Sequence, residues 1–135
     1  MSLRTEVVRI ACRYIGEGAR PEWLGFQWCG LFALTVLHEA GLAQDVIWHI
    51  GGGFVLENPN AFPPTTDPHP GDIGIIEHNS AGRDVWHYVI LERIEDGVAH
   101  CIAGNTGPSP GVVARQEFLM SRPSWYSIEP VEAVP

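Results

Sequence analysis

Apolar residues recur at helical spacing in two segments of the first third of the chain. In residues 5–15 the apolar stripe consists of Val8, Ala11, Cys12 and Ile15, and Gly16 follows as a stop signal. In residues 29–40 the apolar stripe consists of Phe32, Ala33, Val36, Leu37 and Ala40, and Gly41 is the stop. The pattern therefore predicts two amphipathic helices.

After Pro70 the pattern changes to short runs that are rich in β-branched and aromatic residues. These runs are GDIGIIEH, WHYVILERI, VAHCIAGN, GVVARQEF and SWYSIEPV. They predict about five antiparallel strands and an α+β fold in which the second helix packs on the sheet. Residues 43–71 lack periodicity and hold many prolines and glycines, which predicts a long loop of the kind that often lines a binding site.

Length and charge restrict the class of protein. A chain of 135 residues fits one domain, residues 1–135, and its scattered arginines and net charge of −8 argue against a nucleic-acid partner. No apolar run approaches the roughly 20 residues of a membrane span, so no membrane partner is expected. Because the N-terminus lacks a signal-peptide pattern, we expect a protein made in the cytoplasm. If it acts outside the cell, phage lysis, a secretion system or a partner must deliver it.

Three cysteines at irregular spacing, Cys12, Cys29 and Cys101, fit neither a disulfide framework nor a structural zinc site. Cys12 lies on the apolar stripe of the first helix and is predicted to be a core residue. Cys29 opens the second helix, where unpaired N–H groups and the helix dipole lower a thiol pKa and can hold an oxyanion. From this position alone, Cys29 is either a nucleophile or a buried residue that starts a helix.

A nucleophilic cysteine needs a histidine that takes and returns a proton, and a third group that orients the histidine. Four histidines are predicted elsewhere: His38 on the exposed side of the second helix, His49 and His69 in the loop, and His78 in a turn. The other two, His87 and His100, lie on one predicted hairpin, HYVILERIEDGVAHCIAGN. A metal site built from His69, His78, His87 and Cys101 lacks recognised ligand spacing, so no metal or other cofactor is expected.

The turn of this hairpin decides which residues share a face of the sheet. A two-residue turn at Asp96-Gly97 places His87 opposite Thr106, and His100 then shares its face. A three-residue turn that ends at a left-handed Gly97 places His87 opposite Asn105.

We favour the three-residue turn because it produces one apolar face that ends in the His87–Asn105 pair, as a helix-covered face should. The apolar members of that face are Val89, Leu91, Cys101 and Ala103. His100 then falls on the other face, beside Glu92.

Together these motifs resemble the NlpC/P60 superfamily, in particular its CHAP branch of cysteine amidases and peptidases. The motifs are the Trp-Cys pair that opens a helix, PGDIGII, the WHYVILERIEDG hairpin, GNTG and the closing GVVARQEF. The resemblance extends from ACRYIG in the first helix to the last strand. It implies a papain-like minimal fold and hydrolysis of amide bonds, usually in bacterial peptidoglycan, by an amidase or an endopeptidase.

The resemblance also implies roles for individual residues. Cys29 matches the nucleophile, His87 the general base, and Asn105 the amide that orients the imidazole. Many members carry a glutamate two residues before that asparagine, where this chain has Ala103. Asn105 can orient the ring but adds no charge that stabilises the imidazolium. In other branches the third residue is a histidine on the strand after the base, which makes His100 the alternative.

In the expected mechanism His87 deprotonates Cys29, the thiolate attacks an amide carbonyl, and water then hydrolyses the thioester. Backbone N–H groups near Cys29 and Gly30 hold the oxyanion. The further candidates for substrate or oxyanion contact are Gln27, Trp23, Trp28 and Trp86. For Gln27 the alternative is a simple surface position, and for the tryptophans it is core packing.

Other functions fit parts of the sequence. A papain-type protease is not expected, because the chain is short and lacks a CGSCW-like signature around Cys29. A transglutaminase or deamidase would use the same Cys-then-His order and the same thioester. A catalytically inactive binding or assembly module would explain Ala103, whereas the retention of Cys29, His87 and Asn105 argues against it.

Overall fold

The computed structural model describes residues 2–48, 53–80 and 83–130 of the chain. The helices are α1 (Leu3–Arg13), one 3₁₀ turn (Pro21–Trp23) and α2 (Cys29–Glu39). The strands are β1 (Ile73–Ser80), β2 (Arg83–Glu95), β3 (Val98–Thr106), β4 (Val112–Leu119) and β5 (Ser124–Tyr126). The predicted α+β class, both helices and the five antiparallel strands are therefore confirmed, and only the 3₁₀ turn was missed.

The five strands form one antiparallel sheet in the order β4-β3-β2-β1-β5. Leu119 ends one edge strand and Ser124 begins the other, so the connection spans at most about 17 Å when fully extended. A flat five-stranded sheet is about 19 Å wide from the first strand to the last. The sheet must therefore curl, and it has a convex and a concave face.

The two faces bury different residues. The face packed against α1 and α2, here called the helix face, buries Ile73, Ile75, Tyr88, Ile90 and Ile102. The opposite face, here called the inner face, buries Ile76, Val89, Leu91, Ala99, Cys101, Ala103 and Trp125. Both faces of the central strands are thus apolar, which is unusual for an antiparallel sheet and typical of one that is covered on both sides.

Helix α2 runs across the helix face with Phe32, Val36 and Leu37 almost fully buried, as the stripe predicted. It ends at a left-handed Gly41 with φ 84°. His38 was predicted on the exposed side of α2, and this is corrected. Its Nε2 donates to the carbonyl oxygens of Ala43 (2.9 Å) and Val46 (3.1 Å), so it holds the chain that leaves the helix.

A buried carboxylate ties three segments to the start of the sheet. Asp72 is 1% exposed, and its Oδ1 accepts from Arg4 Nη1 at 2.7 Å and from the Ile128 amide at 2.9 Å. Its Oδ2 accepts from the His69 amide at 2.8 Å. Because a buried charge is tolerated only when it is paired, this cluster joins α1, the end of the loop and the C-terminal segment.

The β2–β3 hairpin turns at Asp96 and Gly97, both left-handed with φ 52° and 76°. Glu95 pairs with Val98, so the turn has two residues and the predicted three-residue turn is wrong. Further along, Leu91 lies opposite Cys101, whereas Arg93 lies opposite His100. Position 92 is therefore a bulge. On the side of the bulge away from the turn, the strands pair as the three-residue turn would have paired them.

No helix in the described ranges is long and apolar enough to cross a membrane.

Candidate active site

Cys29 is the first residue of α2, and its side chain is buried against β2 with 3% exposure. Its Sγ donates to the carbonyl oxygen of Trp86 at 3.8 Å. The backbone N–H groups of Tyr88, Gly30 and Cys29 itself interact with the sulfur. The sulfur therefore lies between a helix N-terminus and the backbone of β2, among N–H groups suited to a thiolate or an oxyanion.

The protonation of Cys29 differs from the sequence-based expectation. Burial raises the pKa of the thiol, while the N–H groups of Tyr88, Gly30 and Cys29 act in the opposite direction and do not compensate. The helix N-terminus indicated the donors correctly, but it gave no information on the depth of burial. In this conformation Cys29 is a neutral thiol at neutral pH.

Tyr88 is the side chain of β2 that packs over the start of α2. A Cβ built on Gly30 would lie 3.3 Å from Cδ2 and from Cε2 of Tyr88, so a larger residue here would displace the ring by a few tenths of an ångström. Phe54 stacks on the Tyr88 ring at 5.2 Å between centroids, and a Cβ on Gly53 would lie 3.0 Å from the hydroxyl. The long loop thus borders the site through Gly53 and Phe54.

His87 lies on the inner face, and its predicted position on the helix-covered face is corrected. It pairs with Ile76, which belongs to the inner face, whereas the next residue, Tyr88, pairs with Ile75 on the helix face. The Nε2 of His87 lies 2.7 Å from Oε1 of Gln116 on β4. The structure therefore brings His87 together with Gln116, on the side of the sheet opposite α2 and Cys29.

Asn105 and Ala103 lie near the end of β3. Asn105 has a left-handed φ of 56° and interrupts the pairing with β4 between Ala103 and Thr106. Gly111 backs it closely, since a Cβ there would lie 2.9 Å from Oδ1 of Asn105. Ala103 is fully buried on the inner face, so a glutamate at this position would lose its solvation in an apolar cluster.

The other histidines have separate surroundings. His100, the alternative third residue, lies on β3 with its Nδ1 3.3 Å from Oε1 of Glu117. His69 lies exposed in the loop as predicted, 3.9 Å from Asp67. His78 lies within β1, so its predicted turn position is wrong, and His49 falls outside the described residues.

The aromatic candidates divide into core and surface. Trp28 is buried, donates from Nε1 to the carbonyl of Pro110 at 2.8 Å, and stacks on buried Trp23. These two rings are packing residues, which was the alternative given above. Trp86 is 37% exposed beside Gly53, and Gln27 is exposed just before the helix, so both remain candidates for substrate contact.

The two other cysteines are structural. Cys101 is fully buried on the inner face, and burial raises its pKa to about 12. Cys12 is only partly buried, contrary to the prediction of a core position, and its thiol donates to Oε2 of Glu92 at 3.4 Å. Within the described ranges, no group of three or more His, Cys, Asp or Glu side chains is arranged to hold a metal ion.

Sequence reasoning missed Tyr88, Gly53 and Gln116. Tyr88 directly follows the candidate base His87. Because side chains alternate along β2, the register of the strand decides which of these two side chains points toward α2. Gly53 carried a weak signal, because it closes the Gly51-Gly52-Gly53 run in the loop. Gln116 carried none, since it lies two strands away from His87 in the sheet.

In comparisons with known proteins, no protein-family model, no curated protein and no solved structure matches this chain.

Proposed function

We propose that this chain is a cysteine-dependent amide hydrolase with a papain-like fold, related to the CHAP branch of the NlpC/P60 superfamily, that cleaves bacterial peptidoglycan. The observation that supports the proposal is the position of Cys29. Its sulfur lies at the N-terminus of α2, against an antiparallel strand, with N–H groups of Tyr88 and Gly30 close by. A thioester-forming nucleophile needs such an arrangement, because charge develops first on sulfur and then on the carbonyl oxygen.

The proposed reaction follows from this geometry. The thiol of Cys29 loses its proton to a base, the sulfur attacks the amide carbonyl, and the leaving amine takes the proton. Water then releases the acid from the thioester. The exposed ring of Trp86 lies beside Gly53 and offers an apolar wall for a peptide or glycan.

His87 remains our proposed base, and this role requires β2 to pair without its bulge. His87 now lies on the inner face, and a one-residue slip in a strand exchanges its two faces. The bulge supplies that one residue at Glu92, between Leu91 and Arg93. If the bulge is lost, His87 turns to the helix face, opposite Thr106, and Tyr88 leaves that face.

A second candidate function is a binding or assembly module without catalysis. The observation that favours it is the pair formed by His87 and Gln116 on the inner face, together with the 3% exposure of Cys29. Acyl transfer to an amine, or deamidation, would use the same thioester and differs only in the group that attacks it.

The test is digestion of purified peptidoglycan followed by mass spectrometry of the products. We expect Cys29→Ala to abolish the release of new fragments or amines, and His87→Asn to lower the rate at least about 100-fold, the contribution of a general base. His69→Asn is the control, since it changes an exposed loop histidine that has no role in the proposed reaction, and it should retain activity.

The possible results distinguish the role of His87, the substrate and the type of reaction. Activity in His87→Asn close to that of the wild type would remove His87 as base. No product from the wild type would reject peptidoglycan hydrolysis. A second digestion with added glycine methyl ester then separates acyl transfer, which would give an amide of this amine, from the binding module, which would give no product.

A further inference from the structure

The hydroxyl of Tyr88 is buried, and no group among the described residues accepts its proton. The backbone N–H of Val55 interacts with its oxygen, so the hydroxyl is left as an unused donor. The residue is 7% exposed, and the hydroxyl oxygen itself is inaccessible to solvent. A buried hydroxyl without a partner destabilises a fold by about 1–3 kcal/mol. Such a group, kept in a well-packed site, is a candidate for binding a ligand.

The position of the hydroxyl indicates which ligand group it meets. It is attached to the carbon next to Cε2, and Cε2 lies 3.3 Å from the Cβ position of Gly30. The Gly30 amide is one of the N–H groups that interact with the Cys29 sulfur. The Gly30 amide and the sulfur therefore lie beside one edge of the Tyr88 ring, and the hydroxyl lies 3.0 Å from the Cβ position of Gly53. The hydroxyl is also close enough to Cys29 for the charge of a thiolate to raise the pKa of Tyr88.

We propose that the Tyr88 hydroxyl donates a hydrogen bond to the carbonyl oxygen of the acyl group that reacts with Cys29. This inference rests on the proposed function of Cys29 as an acyl-accepting nucleophile. It applies to the bulged pairing of β2, in which Tyr88 and not His87 occupies the helix face, so the proton of the thiol goes to solvent or to the leaving group and not to His87. The ligand class is therefore a carbonyl compound with a leaving group, an amide or an ester.

The hydroxyl acts without losing its proton. The new S–C bond places a negative charge on the carbonyl oxygen, which accepts hydrogen bonds from Tyr88 and from the Gly30 amide. The C–N or C–O bond then breaks, the oxygen becomes a carbonyl again, and the thiol proton leaves with the amine or enters solvent. Burial, and to a lesser degree the nearby Cys29 and Glu57, raise the pKa of Tyr88, so the phenol stays protonated as a donor.

The experiment compares two reactions of the same sulfur. Acetylation by p-nitrophenyl acetate passes through an oxyanion, whereas alkylation by iodoacetamide does not. Both rates are measured at Cys29 by peptide mass spectrometry, for the wild type, Tyr88→Phe and Tyr126→Phe. Tyr126 is the matched control, because it is a tyrosine packed against the same core cluster.

We expect Tyr88→Phe to slow acetylation of Cys29 about 100-fold, the usual loss for one oxyanion donor, and to change alkylation less than about threefold. The melting temperature should change little, because the variant removes an unused buried donor together with the oxygen that faces the Val55 N–H. Tyr126→Phe should change neither rate.

Three results would overturn the proposal: equal acetylation rates in the wild type and Tyr88→Phe, a parallel fall of both reactions, or no acetylation of Cys29 in the wild type. A parallel fall would mean that Tyr88 controls access or packing. Failure of the peptidoglycan digestion alone leaves this comparison intact, because it uses a small ester and not the wall polymer.

Discussion

The close contact between β3 and the start of α2 gives the sharpest test of the fold. A Cβ on Gly104 would lie 2.7 Å from Cζ3 of Trp28 and 2.8 Å from Cβ of Phe32. The Cβ of Phe32 belongs to the helix and cannot rotate away, and the indole of Trp28 is held by its bond to Pro110. In Gly104→Ala, α2 must therefore move from β3 by about 0.8 Å, since carbon atoms pack at about 3.5 Å.

Such overpacking costs about 1–3 kcal/mol in folding free energy, and we expect about 2 kcal/mol for Gly104→Ala. At a urea m-value of about 2 kcal/mol/M, the unfolding midpoint should fall by roughly 1 M. Gly18→Ala is the control, because its nearest neighbour to a new Cβ would be the Gly111 carbonyl at 3.9 Å. If the unfolding midpoint of Gly104→Ala falls by less than about 0.25 M, the inferred contact is wrong, whatever the shift in the control.

Two further predictions concern Cys29 and Asp72. An ordinary thiol has a pKa of about 8.5 and is half-ionised at that pH. Because burial raises the pKa of Cys29, the rate of its alkylation by iodoacetamide should still rise with pH at about 8.5. A rate plateau below about pH 8 would show that the helix N-terminus outweighs burial. Asp72→Ala should lower the unfolding free energy by about 3 kcal/mol, because it leaves Arg4 and two amides without their buried acceptor. Glu129→Gln, which changes an exposed carboxylate on the same Arg4, should cost less than about 1 kcal/mol in urea titrations, and equal losses would contradict the structure.

The elements of this fold were predictable because each carries a local signal. The apolar stripe that ends at Gly41 defines α2 within one residue, and the runs after Pro70 define the strands. Loop character for residues 43–71 also follows from local composition. None of these signals depends on how distant segments meet, which is why they survive in the folded chain.

The candidate site depends on contacts between segments that are distant in sequence, and there the sequence-based predictions were less successful. The position of Cys29 at a helix N-terminus is local and was predicted, whereas its burial results from the packing of Tyr88 and Phe54, which the periodicity does not encode. His87 was assigned to the helix face because an apolar face was expected under the helices. That criterion fails here, since both faces of β2 are apolar.

The assignment of the base therefore depends on one extra residue in β2. Ile94 pairs with Ala99, an inner-face residue, so strict alternation from Ile94 would place Ile90 on the inner face and His87 on the helix face. The bulge reverses this order, and Ile90 is buried on the helix face. Glu92 occupies the bulge, and both of its carboxylate oxygens accept hydrogen bonds from Arg115 on β4, at 2.9 and 3.0 Å. Val89 and Ile90 are equally apolar, but without the bulge Glu92 would pair with Cys101 on the buried inner face, where its carboxylate would lose solvation. Burial of Glu92 and its contact with Arg115 therefore both favour the pairing that keeps His87 away from Cys29.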